Sequence, residues 1–285
     1  MKPAFISRAL LAVLCLGVCV ALSKPPPKME SKVSLEILPN PLVLKVLGRS
    51  QLDFVADLFW VRMANMAGRC FQPSECGALL PIANLIADLA PKFKYPYFVG
   101  GTLAPVKLRN GGYANVEGSH ALMERGIREV PDYTRLRVQL AFTELDIMHD
   151  PARAGRTLRE AAKLPDAPPF LLKLAARLLT EGGQYDDARE FARMMTESND
   201  PELKEDFEHR LKMIDLEEIL VKVDDAQKRF TETHGHPAAR PEELVMSGLL
   251  SQLPVDPFGG TIELTPEGAR SSVESRRLRT YVPIQ

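Results

Sequence analysis

Two histidines and several adjacent acidic pairs are the residues of this chain whose types and spacing could support catalysis or metal binding. His234 and His236 flank Gly235, and two imidazoles can share a metal ion, yet no third ligand is marked nearby. Solvated loop histidines are the simpler interpretation. Adjacent acidic residues in a helix point to different faces, so we expect no shared acid–base site from three such pairs. The pairs are Asp186-Asp187, Glu217-Glu218 and Asp224-Asp225.

Sequence motifs of common enzyme sites are also missing. The chain has no Gly-x-Ser-x-Gly nucleophile elbow, no phosphate-binding glycine loop and no His-Glu-x-x-His zinc motif. Its formal net charge is −1 and it has no long basic run, which argues against nucleic acid as a partner. Phosphate contacts need clustered Lys and Arg. The sequence therefore predicts no catalytic residue, no metal and no cofactor.

The cysteines indicate an oxidising compartment. Cys15 and Cys19 fall in an N-terminal apolar run, which leaves Cys70 and Cys76 six positions apart. We predict that these two form a disulfide that clips a loop between helices. So short a ring would contribute about 2 kcal/mol. Two free thiols are the alternative, and two cysteines alone make a poor zinc site because the second ligand pair is missing.

Residues 1–23 are typical of an export signal. Lys2 and Arg8 precede an apolar run, Ala9–Leu22, as a signal sequence requires. The run has 14 residues. A helix needs roughly 20 apolar residues to cross a bilayer. The sequence therefore predicts export to the periplasm or the cell envelope.

Three fates of this signal remain open. Ala21 and Ser23 are small residues at the two positions that a signal peptidase reads, so cleavage after Ser23 is the leading interpretation. An uncleaved anchor, with the extended Pro-rich linker 24–42 as a stiff spacer, is the second. The third is a lipoprotein acylated at Cys19.

A helical repeat extends over residues 43–200. Ala154 and Ala188 lie 34 residues apart, and each opens the second helix of a two-helix unit. Small residues let paired helices approach closely, and Gly100-Gly101 is predicted to mark such a contact. The clearest unit has one apolar face of Leu172, Ala175, Ala176 and Leu179, a turn at Gly182-Gly183, and a second face of Ala188, Phe191, Ala192 and Met195.

The residues of this unit, above all Gly183-Gln184-Tyr185-Asp186-Asp187-Ala188, resemble a tetratricopeptide repeat (TPR). The resemblance implies an all-α fold of stacked antiparallel helical hairpins, a TPR-like solenoid with four hairpins. An unrelated array of α-hairpins is the alternative. That family usually places a proline at the end of each hairpin, and this chain has prolines at the matching positions: Pro91, Pro131, Pro165 and Pro201. The first interval between them is the longest, and we attribute its extra length to an insertion near Asn110-Gly111-Gly112.

The first hairpin is predicted to begin with one long helix over 43–67. Trp60, the only tryptophan, should pack in the core of this hairpin, and its alternative role is a ligand platform. Residues 201–234 predict a long amphipathic helix that caps the stack and stops at Gly235.

The C-terminal segment 235–285 predicts a small helix–turn–strand appendage. Its Leu253-Pro254-Val255-Asp256-Pro257-Phe258-Gly259-Gly260 stretch resembles the end of the globular domain in type II secretion pseudopilins and type IV pilin-like proteins. The chain lacks their Gly-Phe-Thr-Leu-x-Glu processing site, so we do not expect a pilin. A plain turn followed by a strand over 261–264 explains the same residues without that kinship. The resemblance implies calcium, but the oxygen candidates Asp256, Glu263 and Glu267 lack the spacing of a dedicated site.

These patterns together predict a non-enzymatic, exported scaffold or adaptor that binds a protein or peptide partner at the envelope. A pilus, secretion or motility component would fit. An envelope enzyme or small-ligand-binding protein, and a membrane-anchored structural spacer, are the alternatives. The TPR resemblance implies that side chains of the first helices line a peptide groove: Tyr95, Phe98 and Thr102, then Gln139 and Thr143, then Lys173 and Arg177.

We predict that mass spectrometry of the native protein will find Lys24 at the mature N-terminus and Cys70 linked to Cys76. Signal peptidase acts after small residues, and the oxidising compartment favours the disulfide. An intact Met1 would favour the anchor instead, and free thiols at both cysteines would exclude the disulfide.

Overall fold

Helices account for 66% of the described residues and strands for 5%, which places the protein in the all-α class. The computed structural model describes residues 38–197, 200–274 and 276–278. The expected export signal and most of the Pro-rich linker lie outside the described residues. Within the described residues, each helix is too short or too polar to cross a membrane.

The helices follow one another along the chain with short connections. They are α1 (Pro41–Gly48), α2 (Leu52–Ala67), α3 (Pro73–Gly77), α4 (Leu79–Leu89), α5 (Lys94–Leu103), α6 (Val116–Glu129), α7 (Thr134–Phe142), α8 (Pro151–Ala162), α9 (Phe170–Glu181), α10 (Tyr185–Thr196), α11 (Pro201–His234) and α12 (Pro241–Met246). A π-helix, Thr143–Ile147, continues α7. Strand β1 (Val106–Lys107) pairs antiparallel with β2 (Tyr113–Ala114), and β3 (Ile262–Thr265) pairs antiparallel with β4 (Gly268–Ser271).

Local sequence explains where several helices begin. Asn40, Asp150 and Asp200 each cap a helix, because the side-chain oxygen accepts a hydrogen bond of 2.8 to 3.0 Å from a backbone N–H in the first turn. A proline follows each cap at the first helical position, where its missing N–H costs nothing. These three starts are therefore encoded by two adjacent residues.

Small residues set the spacing between neighbouring helices. A Cβ at Gly100 of α5 would lie 2.8 Å from Leu122 Cδ2 of α6, and one at Gly126 of α6 would lie 2.6 Å from Tyr97 Cγ. Because Tyr97 precedes Gly100 while Gly126 follows Leu122, the two helices run antiparallel. The close contact predicted for the glycine pair in α5 is confirmed. A Cβ at Gly101 would meet Met123 in the same way.

The structure differs from the prediction at two places. The single helix expected over 43–67 is two helices, since a 3₁₀ turn over Arg49–Gln51 separates α1 from α2 and Arg49 has a φ of 40°. Helix α1 also begins at Pro41, inside the segment expected to be a linker, because Asn40 caps it. The insertion near Gly111 is the β1–β2 hairpin, in which Gly111 has a φ of 89°.

Long helix α11 organises the C-terminal part. It ends at Gly235, whose φ of 76° suits glycine, and whose N–H donates to the carbonyl of Thr231. The backbone N–H of Ala269 in β4 donates to Asp224 of α11 at 2.6 Å. The predicted strand after the turn is therefore part of a two-stranded hairpin that packs on α11.

Arg277 fastens the end of the described chain to the same helix. Its guanidinium donates to the buried carboxylate of Glu217 at 2.9 and 3.0 Å and to Asp224 at 3.2 Å. Burial alone would lower the pKa of Arg277, but Glu217 and Asp224 raise it above its ordinary value, so this arginine stays charged.

We predict that Gly155→Ala in α8 lowers the free energy of unfolding by about 1–3 kcal/mol. The added Cβ would lie 2.7 Å from the backbone nitrogen of Leu179 in α9, and backbone yields poorly. The measurement is urea denaturation followed by circular dichroism.

The matched control is Gly118→Ala in α6. Its added Cβ would come within 2.6 Å of Leu80 Cδ1 alone, the far end of a flexible side chain that can rotate away. Alanine also favours a helix over glycine by about 0.5–1 kcal/mol, so the control should lose no stability. Equal losses for the two variants would contradict the proposed contact between α8 and α9.

Candidate functional site

A cavity of about 480 Å³ lies where the loops before α5, α7 and α9 meet. A second cavity of about 480 Å³ shares Lys92 and Phe93 with the first and is lined by Asp53 and Asp57 of α2. The two cavities adjoin, and we call them together the loop-end cleft. It extends from α2 to the loop before α9, so it crosses successive helix pairs.

Two aromatic rings, Phe93 and Tyr95, line the loop-end cleft, and the Trp60 ring packs against both of them. The Trp60 centroid lies 5.5 Å from that of Phe93, in an edge-to-face arrangement, and 6.2 Å from that of Tyr95. Trp60 and Phe93 are partly buried against the core, whereas Tyr95 is 48% exposed. Such aromatic pairs contribute about 0.5–1.5 kcal/mol beyond their buried area, so they hold the exposed ring in place.

Buried Tyr97 fixes the loop that carries Phe93. Its hydroxyl donates to the carbonyl of Pro91 at 3.0 Å, and burial raises the pKa of Tyr97 to about 12. The Lys92 ammonium donates to the carbonyl of Glu129, which ties the same loop to the end of α6. The cleft wall is therefore held by hydrogen bonds from both sides.

Two cation–ring pairs lie at the cleft and below it: Lys94 and Tyr133 line the cleft, whereas Arg135 and Phe98 do not. The Lys94 ammonium lies 5.1 Å from the Tyr133 ring centroid, and the Arg135 guanidinium lies 4.4 Å from that of Phe98. Both distances are in the range of cation–π attraction. Burial raises the pKa of Tyr133 above its ordinary value, so its hydroxyl stays protonated and can donate a hydrogen bond.

The groove residues predicted on α5 and α7 differ in accessibility. Tyr95 lines the loop-end cleft, and Phe98 lies below it against the Tyr133 ring. Thr102 and Gln139 are half-buried. Thr143 is buried, and its hydroxyl donates to the Gln139 carbonyl at 3.2 Å, so its side chain is not open to a ligand in this conformation.

The two basic groove residues predicted on α9 have different partners. Lys173 forms an ion pair with Asp206 of α11, and this hydrogen bond lowers the pKa of Asp206. Arg177 Nε lies 4.0 Å from a carboxylate oxygen of Glu181. Neither residue lines the loop-end cleft, so the seven predicted side chains do not share one cavity.

The structure contains a buried charged cluster around Glu144 that the sequence analysis did not predict. Glu144, in the π-helix, is 1% exposed and its carboxylate lies 3.1 Å from His120 Nε2 and 3.0 Å from Arg153 Nε. The Thr157 hydroxyl donates to it at 2.7 Å. One feature of the sequence indicates its burial: Glu144 follows Leu140 by four residues and so continues the apolar face of the helix. Because its oxygens contact His120 of α6 and both Arg153 and Thr157 of α8, this carboxylate joins those two helices to the π-helix.

Both predicted loop histidines pack around Phe230, but His234 is the last residue of α11, so it does not lie in a loop. The His234 ring stacks on Phe230 with centroids 4.0 Å apart, and His236 lies 5.9 Å from the same ring. Across residues 38–197, 200–274 and 276–278, no three His, Cys, Asp or Glu side chains are grouped to hold a metal.

The oxygen candidates of the C-terminal turn are used within the fold. Asp256 is buried and accepts hydrogen bonds from the Phe258 backbone at 2.8 Å and the Ser271 hydroxyl at 2.5 Å. Glu263 pairs with Arg270 across the β3–β4 hairpin at 2.8 Å. These contacts fix the turn onto the hairpin.

The adjacent acidic residues of α11 diverge, as their helical spacing predicts. Glu217 binds Arg277, whereas Glu218 pairs with Arg189 of α10 and with Lys222. Burial opposes the ionisation of Glu218, but Lys222 and Arg189 outweigh it and lower its pKa. The two carboxylates of this pair therefore bind different partners on different sides of α11.

Cys70 and Cys76 are neighbouring free thiols in the structure. Burial, followed by the hydrogen bond with Cys70, raises the pKa of Cys76 to about 12. The two thiols contact each other, as a disulfide between them requires. The disulfide itself stays a prediction for mass spectrometry.

Comparisons with protein-family models, with curated proteins and with solved structures give no match. The functional argument therefore rests on the geometry of the chain itself. Of its surfaces, the loop-end cleft combines a cavity with exposed aromatic and charged side chains.

We predict that Glu144→Ala lowers the free energy of unfolding by about 3 kcal/mol, because Arg153 and His120 lose their buried partner. Chemical denaturation measures the change. The control, Glu160→Ala, removes an exposed ion pair with Lys163 and should cost less than about 1 kcal/mol. Similar losses at both positions would rule out a special role for the buried carboxylate.

Proposed function

We propose that this protein is an exported, TPR-like adaptor that binds a peptide segment of another protein in the loop-end cleft. Two features support the TPR-like arrangement. Consecutive helices from α4 to α10 pack against each other in chain order. Alternate helices also touch, since α4 contacts α6 and α5 contacts α7. Stacked pairs of this kind present one surface that crosses several helices.

The observation that carries the proposal is the exposed Tyr95 ring, held by Trp60 and Phe93 beside a cleft that crosses several helix pairs. Exposed tyrosines on a fixed support are typical centres of protein recognition, because they bury a large area at low entropic cost. The wall is already fixed before the ligand arrives, so little ordering free energy is lost on binding.

The shape and charge of the cleft favour a peptide over a compact metabolite. Asp53 and Asp57 lie at one end, Lys94 lies near the middle, and Asp166 lies at the other end. An extended peptide can contact all of these groups in turn. Its side chains would alternate between charged groups and the aromatic wall.

The envelope is the proposed location, and a pilus, secretion or motility component is the proposed partner. The export signal of residues 1–23 supports the location. The pseudopilin-like stretch over 253–260 supports the class of partner. Lys173 and Arg177 would provide a second, electrostatic contact on α9, since both are basic and at least partly exposed.

The test begins with capture of the partner. A photo-crosslinking amino acid replaces Tyr95 in the full chain, the native cells are irradiated, and mass spectrometry identifies the crosslinked peptide. The same amino acid at Phe142, an exposed aromatic at the far end of α7, is the control and should capture nothing specific. Specific capture from position 95 alone supports the proposal.

We predict that Tyr95→Ala then weakens the affinity for the captured peptide by about tenfold or more, while Phe142→Ala leaves it unchanged. Circular dichroism should show that both variants keep their helix content. Unchanged affinity of Tyr95→Ala would refute the cleft assignment. If Lys173→Glu with Arg177→Glu weakens binding instead, the predicted groove on α9 is the site.

A further inference from the structure

Helices α1 and α2 carry an apolar surface that the rest of the described chain leaves uncovered. Seven large apolar side chains on these two helices are each 52% to 76% exposed. Soluble proteins rarely leave so much apolar surface together without a binding role. The seven are Leu42, Val43, Val46 and Leu47 on α1, with Phe54, Leu58 and Val61 on α2; we call them the α1–α2 apolar face.

The spacing shows that this face belongs to the outside of each helix. Phe54, Leu58 and Val61 follow at intervals of four and three residues and so form one stripe along α2. Helix α1 has no buried residue at all. The two helices pack against each other, and α1 also packs against α4, so the apolar face is the side turned away from the helical array.

Charge indicates what covers this face. The described residues 38–72 carry four Lys and Arg and two Asp and Glu, whereas residues 73–285 carry 27 and 33. Lys45 and Arg49 are exposed on and next to α1. The acidic residues of α2, Asp53 and Asp57, line the loop-end cleft on its flank. A basic, apolar surface on an otherwise acidic protein is complementary to an anionic lipid surface.

Side-chain chemistry favours lipid over a protein partner. Six of the seven side chains are Leu or Val, and these residues are under-represented among those that contribute most of the binding free energy at protein interfaces. Leucine, phenylalanine and basic residues on short amphipathic helices are typical of segments that lie in the membrane interface. Eighteen residues, 23–40, separate the apolar run Ala9–Leu22 from Pro41. A linker of that length spans at most about 60 Å, so a retained anchor would keep α1 close to the bilayer.

We infer that the α1–α2 apolar face lies on the surface of an anionic membrane. Leu and Val side chains enter the headgroup region, and Lys45 and Arg49 contact lipid phosphates. The loop-end cleft, which begins at Asp53 and Asp57 of α2, then opens beside the bilayer. Partners embedded in or leaving that membrane would reach the cleft directly.

Site-specific fluorescence tests this inference with the full chain. Trp60→Phe removes the only tryptophan, and Phe54→Trp in that background places an indole on the apolar face. The protein is mixed with phosphatidylcholine–phosphatidylglycerol vesicles whose acyl chains are brominated or plain. We predict that the indole at position 54 loses about half its fluorescence to brominated lipid and shifts to the blue. Phe142→Trp in the same background should show neither effect.

Charge reversal on α1 distinguishes membrane binding by the α1–α2 apolar face from membrane insertion of the N-terminal apolar run. Lys45→Glu with Arg49→Glu should abolish the quenching at position 54, and pure phosphatidylcholine vesicles should weaken it. Lys107→Glu with Arg109→Glu, two exposed basic residues at the β1–β2 hairpin, should leave it intact. Circular dichroism checks that each variant is folded.

Two results would overturn the inference. The first is equal quenching, or none, at positions 54 and 142 in brominated anionic vesicles. The second is a blue shift at position 54 without lipid, together with the mass of a dimer in light scattering. That result would show that a second copy of the chain covers the apolar face.

Discussion

The close approach of neighbouring helix backbones is the constraint on which the rest of the structure depends. At Gly155 an added Cβ would lie 2.7 Å from the Leu179 backbone, and at Gly182 one would lie 2.5 Å from the backbone of Ala152. Contacts this short fix how far each helix pair is displaced from the next. The displacement in turn sets the distance between the loops that connect the pairs, and those loops form the loop-end cleft.

Buried polar contacts hold neighbouring helices in register, whereas apolar packing alone would allow one helix to slide along another. Glu144 joins three helical segments in the middle of the array, and Glu217 binds Arg277 at its C-terminal end. A buried carboxylate without partners is costly, so each one accepts few alternative positions of its neighbours. The two carboxylates therefore restrict the register of the helices that they connect.

The proposed partner site and the proposed membrane surface share helix α2. Its inner side carries Trp60, which supports the aromatic wall, and its outer stripe carries Phe54 and Leu58. Asp53 and Asp57 lie between, on the flank that lines the cleft. One helix would thus set both the distance and the orientation of the cleft relative to a bilayer.

The sequence by itself determined what depends on near neighbours in the chain. Asp200-Pro201 and Gly235 bound α11, and Gly100 predicted a close helix contact, because caps, turns and glycine conformations are local. The TPR resemblance also implied that Tyr95 lines a groove. Only the tertiary structure decided that Trp60 and Phe93 support the tyrosine ring, or that Glu144 finds His120. Trp60 lies 35 residues from Tyr95, and His120 lies 24 residues from Glu144, so helix packing, which no short pattern encodes, brings them together.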